Sequence, residues 1–370
     1  MTGTDLSEAE IRALPKVSLH DHLDGGLRPA TILDLARSEG IELPGGAPTE
    51  DADALGAWFA SQADSGSLVE YLKTFDVTLS VMQTASGLHR VAKEFVEDLV
   101  VDGVVYGEIR WAPEQHCEKG LTLEAAVDTV QAGLDEAVRD AANNGFTIQV
   151  GQLITAMRHN DRGMEIAQLA LAYRDKGCVG FDIAGAEAGF PPSRFADAFA
   201  HLAENMFPVT VHAGEADGVD SIRSALVDGR TLRLGHGIRI AEDIEVLDAG
   251  DADAAGLGEV ARWVLERGIP LEASPSSNLQ TGAVEQWGNQ MSDHPFNELY
   301  RLGFAVTVNT DNRLMSSTTL TKELSLLAST FGYGMEDLLL FQLNAAGGAF
   351  MTFEDRKALV GQLVSAHTAS

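Results

Sequence analysis

The chain is poor in cysteine and in positive charge. Cys117 and Cys178 are the two cysteines in 370 residues, which excludes a disulfide framework and a CxxC metal clip. That usage fits a reducing compartment. Lys and Arg number 26 against 55 Asp and Glu, a formal net charge of −29. Such a surface repels phosphate backbones and anionic bilayers, so nucleic acid is not an expected partner and a neutral small molecule is an easier one. No apolar stretch approaches the ~20 residues that span a bilayer, so no membrane segment is expected. Met1 to Glu10 is polar and acidic, without the basic flank and apolar run of a signal peptide, and the expected location is cytoplasmic. There are no internal repeats and no low-complexity linker. With 45% hydrophobic residues the chain can bury a large core, and one domain over residues 1–370 is expected. The oligomeric state is not legible.

What is present is an alternation. Short apolar, β-rich runs lie at Val17 to His20, Val104 to Trp111, Thr147 to Ile154, Cys178 to Ile183, Pro208 to His212, Leu232 to Gly235, Ile269 to Ala273 and Ala305 to Asn309. Helical spacing separates them. In Leu123 to Ala141 the apolar positions Leu123, Ala126, Val127, Val130, Leu134, Ala137, Val138 and Ala141 repeat near 3.6, and Asn143-Asn144-Gly145 reads as a stop. Further helices are expected at Ala167 to Lys176, Arg194 to Glu204, Gly256 to Arg267 and Glu298 to Leu302. Strands alternating with helices imply parallel β-α units, and eight of them predict a closed (β/α)8 TIM barrel in the α/β class. An open doubly wound sheet is disfavoured because no GxGxxG follows the first strand. The stretch from Gly45 to Val101 exceeds a minimal connection and becomes helical around Leu68 to Val81; it predicts a helical insertion near the barrel mouth. The tail beyond Thr319 also reads as helical.

In this fold the C-terminal ends of the strands converge on one mouth. His20-Asp21-His22 closes the first strand, and residues two apart on a strand point the same way, so both imidazoles can face one ion while Asp21 points elsewhere. An HxH pair alone is common by chance. His212 at the end of the fifth strand, His236 after the sixth and Asp311 after the eighth bring the count at that mouth to five groups of metal-ligand type. His89, His116, His159, His201, His294 and His367 do not share this placement and read as surface or structural residues. Imidazole and carboxylate donors suit zinc and exclude a soft thiolate site. Four protein donors, His20, His22, His212 and Asp311, point to five coordination or to Asp311 serving partly as a base. The fourth strand ends Phe181-Asp182-Ile183-Ala184-Gly185 without the bridging lysine of binuclear barrels, so one metal per chain is expected.

Six stretches in order, over Ser18 to about Ala345, resemble the adenosine deaminase family. They are Ser18-Leu19-His20-Asp21-His22-Leu23-Asp24-Gly25, Gly180-Phe181-Asp182-Ile183-Ala184-Gly185, Val211-His212-Ala213-Gly214-Glu215, Leu234-Gly235-His236-Gly237, Ser274-Pro275-Ser276-Ser277-Asn278-Leu279-Gln280-Thr281-Gly282 and Val308-Asn309-Thr310-Asp311. The resemblance implies one zinc on His20, His22, His212 and Asp311, and a purine nucleoside as the small-molecule partner, in purine salvage. It implies that Glu215 shuttles a proton to purine N1; the plain alternative is a solvated loop carboxylate. His236 would steer the water that attacks C6, and Asp311 with His236 would take up its proton. Asp24, beside His22, would accept from a ribose hydroxyl, or be only a turn residue before Gly25-Gly26. Gly185 would offer its backbone N–H to purine N3, where a side chain would block approach. Leu68, Tyr71, Leu72 and Phe75 fall at helical spacing and would form an apolar lid, unless they are ordinary helix core.

Two residues depart from the family pattern. Asn312 stands where a second aspartate meets purine N7; an amide can still donate to N7. Ala186 stands where an acid commonly follows Gly185. Relatives acting on adenine or aminofutalosine tend to carry Glu at the position of Asp24, so the shorter acid favours adenosine and 2′-deoxyadenosine. No basic cluster near these stretches would hold the phosphate of AMP. The alternatives are deamination of another 6-aminopurine, a zinc hydrolase of cyclic amides, and a non-catalytic nucleoside-binding relative. Intact Glu215, His236 and Asp311 argue against the last.

Overall fold

The computed structural model describes residues 6–369, so the first five residues of the polar stretch Met1 to Glu10 lie outside the described residues. Eight parallel strands follow in chain order: β1 Lys16–His22, β2 Val104–Trp111, β3 Gln149–Met157, β4 Cys178–Ala184, β5 Thr210–Ala213, β6 Arg233–His236, β7 Leu271–Ala273 and β8 Val306–Val308. They form two four-stranded sheets, β1 to β4 and β5 to β8. A parallel bridge between Phe181 and Val209 joins β4 to the β5 side, and one between Asp21 and Asp311 joins β1 to the segment after β8. The two seams close the barrel that the alternation predicted. Strands covered on both faces need no polar side, which is why β2 is buried at all eight positions.

Several boundaries differ from expectation, each for a local reason. The helix expected from Leu123 runs Leu123–Asn143; Thr122 caps it by accepting from Ala125 N–H at 3.1 Å, and Gly145 leaves it at φ 82°. The helix expected over Ala167 to Lys176 lies at Gly163–Ala172. Beyond Tyr173 the chain turns, because the Tyr173 carbonyl takes the N–H groups of Lys176 and Cys178, with Gly177 at φ 96°. Gly256 does not open a helix. At φ 66° it ends the short helix Ala252–Ala255, and the barrel helix is Glu259–Arg267. The expected strand start at Leu232 is instead 57% exposed, and β6 begins one residue later.

The insertion between β1 and β2 holds helices Ala52–Ala63, Leu68–Leu72, Phe75–Ser80 and Ala85–Val101. The run read around Leu68 to Val81 is therefore two short helices. Hydroxyls compete with the backbone there: Thr74 donates to the Tyr71 carbonyl at 2.7 Å, and Thr78 to that of Phe75 at 3.1 Å. The last insertion helix, Ala85–Val101, is amphipathic and packs on Leu123–Asn143. The tail is helical as expected, over Leu320–Phe331, Met335–Gly348 and Phe353–Ala369. Among the described residues, no helix is long and apolar enough to cross a membrane.

Candidate active site at the barrel mouth

The ligand-type atoms of His20, His22, His212 and Asp311 lie within 4.8 Å of one another, and those of Glu215, His236 and Asp311 form a second such group. Strand ends bring them there. His20 and His22 point from the last residues of β1, and His212 and His236 from the ends of β5 and β6. The main chain pins Asp311 against β1: its N–H donates to the His20 carbonyl at 2.9 Å, and its carbonyl accepts from His22 N–H at 2.8 Å. Asp311 and His236 hold left-handed φ values of 57° and 62°. For residues with a Cβ this is a sparse region, costing about 1–3 kcal/mol each, and such positions cluster at functional sites.

The nitrogens are arranged for a cation. His20 Nδ1 lies 3.0 Å from Glu272 Oε2, and His212 Nδ1 lies 2.8 Å from Asp182 Oδ2. Each carboxylate draws the imidazole proton to Nδ1 and leaves the Nε2 lone pair facing the cluster. His20 Nε2 is buried without a hydrogen-bond partner, 3.2 Å from Asp311 Oδ1, and His22 Nε2 is 3.3 Å from the same oxygen. His22 Nε2 and His212 Nε2 face each other at 3.2 Å. Converging lone pairs and a carboxylate are unfavourable together unless a positive ion or protons sit among them, so the donor set fits a metal.

Beneath the cluster the barrel interior is charged. Arg110 donates to Asp182 at 2.9 Å, to Glu272 at 2.6 Å and to the Leu19 carbonyl, while Arg233 joins Glu272 to Glu108. All five side chains are fully buried. Burial alone would raise Glu272; Arg110 and Arg233 win and hold it well below the ordinary carboxylate range. Sequence reading missed this network. Its signal was available as charges inside apolar strand runs, with Glu108 and Arg110 two apart on one strand face.

The residues expected to meet substrate share one cavity of about 350 Å³, lined among others by His22, Asp24, Leu68, Tyr71, Leu72, Phe75, Gly185, Glu215, His236 and Asn312. Asp24 is buried, and burial pushes its carboxyl up to about 7. Gly185 sits at φ 101°, where a side chain would be strained. Gly25 lets Asn312 come close, for a Cβ there would lie 2.0 Å from Asn312 Oδ1. Asp21 points away from the cluster to Arg313, 2.9 Å off. His159 is a correction: just past the end of β3, it lines the cavity instead of standing apart from it. Buried His116 and His294 are structural, as expected, with His116 Nδ1 3.1 Å from the Met82 carbonyl and His294 Nδ1 accepting from Phe296 N–H at 3.1 Å.

Burial first, then the charges of Asp311 and Glu187, push Glu215 well above the ordinary carboxylate range, which favours its proton-bearing form. Burial likewise tends to raise Asp311, but the imidazoles of His20, His236 and His22 around it hold it well below that range. The two deep carboxylates are thus pushed in opposite directions, Glu215 toward its protonated form and Asp311 toward its ionised one. Ser277 donates to Asp311 Oδ2 at 2.6 Å. Glu187, one residue past Ala186, accepts from the successive N–H groups of Gly214, Glu215, Ala216 and Asp217 at 2.7–3.0 Å, and from the Ser221 hydroxyl at 2.6 Å. Neither Ser277 nor Glu187 was singled out from sequence. Their partners lie 34 and 27 to 34 residues away, a proximity that only the barrel creates.

Comparison with known proteins agrees with this geometry. The family model for adenosine deaminase matches residues 15–366. The adenosine deaminase of Mycobacteroides abscessus is 51% identical over 97% of this chain and 97% of its own length. Adenosine deaminase 1 of Streptomyces coelicolor is 53% identical over 97% of this chain and 88% of its own length. Among solved structures, the adenine deaminase of Arthrobacter aurescens superposes with a TM-score of 0.80 at 25% identity, covering 95% of this chain and 99% of that one. By the span of the family model and by identity above one half to full-length relatives, this chain belongs to the adenosine deaminase family.

Proposed function

We propose that the chain hydrolytically deaminates adenosine and 2′-deoxyadenosine to inosine and deoxyinosine, releasing ammonia, with one zinc per chain. The observation that carries the reading is the geometry of one cavity, where the buried carboxyls of Glu215 and Asp311 and the imidazole of His236 stand together beside a donor set that fits a metal. His20, His22, His212 and Asp311 would hold the zinc, whose Lewis acidity makes water a competent nucleophile near neutral pH. The rest is the work of side chains. Asp311 and His236 orient the water and take up its proton as its oxygen bonds to C6. Glu215 protonates N1. The C6–N6 bond then breaks and ammonia leaves, carrying the second proton.

Substrate placement follows the lining. Asp24 faces the ribose, Gly185 N–H meets N3, Asn312 donates to N7, and Leu68, Tyr71, Leu72 and Phe75 cover the base. The residues lining the cavity include no Lys or Arg, which supports a nucleoside over a nucleotide. The likeness to an adenine deaminase keeps free adenine as the second reading. Ammonia release from adenosine, 2′-deoxyadenosine, adenine, aminofutalosine and AMP, measured side by side, separates them. The two nucleosides should be turned over with kcat/KM at least ~10²-fold above the rest. Preference for adenine or aminofutalosine would overturn the assignment of Asp24.

A further inference from the structure

The stretch Ser274 to Gly282 belongs to the family pattern, yet the mechanism above gives no task to Asn278. That side chain is fully buried, on the helix Pro275–Gln280 that follows β7. Its main-chain N–H donates to the Ser274 carbonyl at 2.8 Å, and its Oδ1 accepts from Ser274 N–H at 3.2 Å. A backbone N–H can only donate. The atom facing it must therefore be the amide oxygen, and this settles the orientation of the amide by chemistry. The amide nitrogen is left pointing at His236 Nδ1, 3.0 Å away. An amide nitrogen can only donate in its turn, so Nδ1 of His236 is an acceptor and carries no proton. The ring proton then resides on Nε2, 3.4 Å from Glu215 Oε2.

We propose that Asn278 is a positioning residue that fixes His236 as its Nε2–H tautomer, making His236 a hydrogen-bond donor toward the reacting centre and leaving Asp311 as the group that takes the proton of water. A neutral imidazole with Nδ1 engaged has no free lone pair with which to act as base. The proton on Nε2 also distinguishes the two oxygens of Glu215. Oε2 is the one facing His236, and Oε1, buried without a partner, is left to hold the proton delivered to N1. The relay is thus set from a backbone amide outward: Ser274 N–H orients Asn278, Asn278 sets the tautomer of His236, and the Nε2 proton of His236 is turned toward Glu215. This narrows the division of labour stated above, in which Asp311 and His236 shared the proton, and it rests on the deaminase reading for its catalytic meaning.

The test reads the tautomer directly. Full-length, zinc-loaded protein labelled with ¹⁵N-histidine should show His236 with a protonated Nε2 and an acceptor-type Nδ1; loss of the signals in His236→Gln assigns them. Asn278→Asp puts two acceptor oxygens where the amide stood, so the proton should move to Nδ1. kcat should then fall by ~10²-fold, the scale of a misplaced acid–base group, with KM within ~3-fold of the parent. Asn278→Ala should give a mixed tautomer signal and an intermediate loss. A parent spectrum with protonated Nδ1 overturns the inference, as does Asn278→Asp with parental spectrum and kcat. Should the variants not fold, the parent spectrum alone decides. An Nε2–H spectrum in a protein that turns over no aminopurine would uphold the tautomer and remove the deaminase reading, so the two failures are distinct.

Discussion

Glu215 and Asp311 are carboxylates on one buried site, shifted in opposite directions, Glu215 up chiefly by burial and Asp311 down, against its burial, by the imidazoles around it. Glu215 works as an acid only while protonated. Its raised pKa therefore keeps activity intact below that pKa, and activity falls as pH rises through it. Glu215→Gln should lose ~10²–10⁴-fold in kcat and lose this alkaline fall, with zinc content by elemental analysis unchanged. Near-parental activity of that variant would remove Glu215 from the mechanism. Gly25 gives a second test at this scale. Gly25→Ala would drive a methyl into Asn312 Oδ1, so KM for adenosine should rise ~10-fold or more while zinc content holds. An unchanged KM would deny Asn312 its place at the base.

Elements were legible where periodicity and stop signals agreed. All eight strands appear where β-rich runs were read, because strands buried on both faces are written as continuous apolar runs. Helix ends shifted where a glycine at positive φ or a carbonyl competing for N–H groups decided the matter, as at Gly177 and Gly256. The metal-type cluster was legible because strand ends carry it. Glu108, Arg110, Asp182, Arg233 and Glu272 were legible only as charges inside strand runs, a sign of burial, while their pairing waits on closure to bring the partners together. Glu187 is the clearest case of an element held from a distance. Its carboxylate takes four consecutive N–H groups of the loop after β5, the loop that presents Glu215. Glu187→Ala leaves those donors without their acceptor and should lower the unfolding free energy by about 2–4 kcal/mol, read by chemical denaturation of the metal-free protein. A change below about 0.5 kcal/mol would show that water replaces the carboxylate freely.

At the scale of the molecule, two four-stranded halves meet at two seams, and the charged interior ties them together. Arg110 on β2 reaches Asp182 on β4 and Glu272 on β7, and those carboxylates orient His212 and His20. Core and metal site are therefore one network. Removing the guanidinium leaves buried negative charge uncompensated, which typically costs about 3–5 kcal/mol. Arg110→Met should therefore destabilise the fold and also weaken zinc binding by ~10–100-fold, measured by competition with a chromophoric chelator. Loss of stability with parental zinc affinity would separate the network from the site. A net charge of −29 over the whole chain favours approach of neutral molecules over anions.

The central claim is metal-dependent deamination of adenosine, and the ultraviolet change from adenosine to inosine tests it most directly. Purified protein is assayed as isolated, after chelator treatment, and after zinc is returned. The account predicts rapid conversion, its loss with the chelator and its recovery with zinc. Zinc-loaded, folded protein that leaves adenosine unchanged would contradict it.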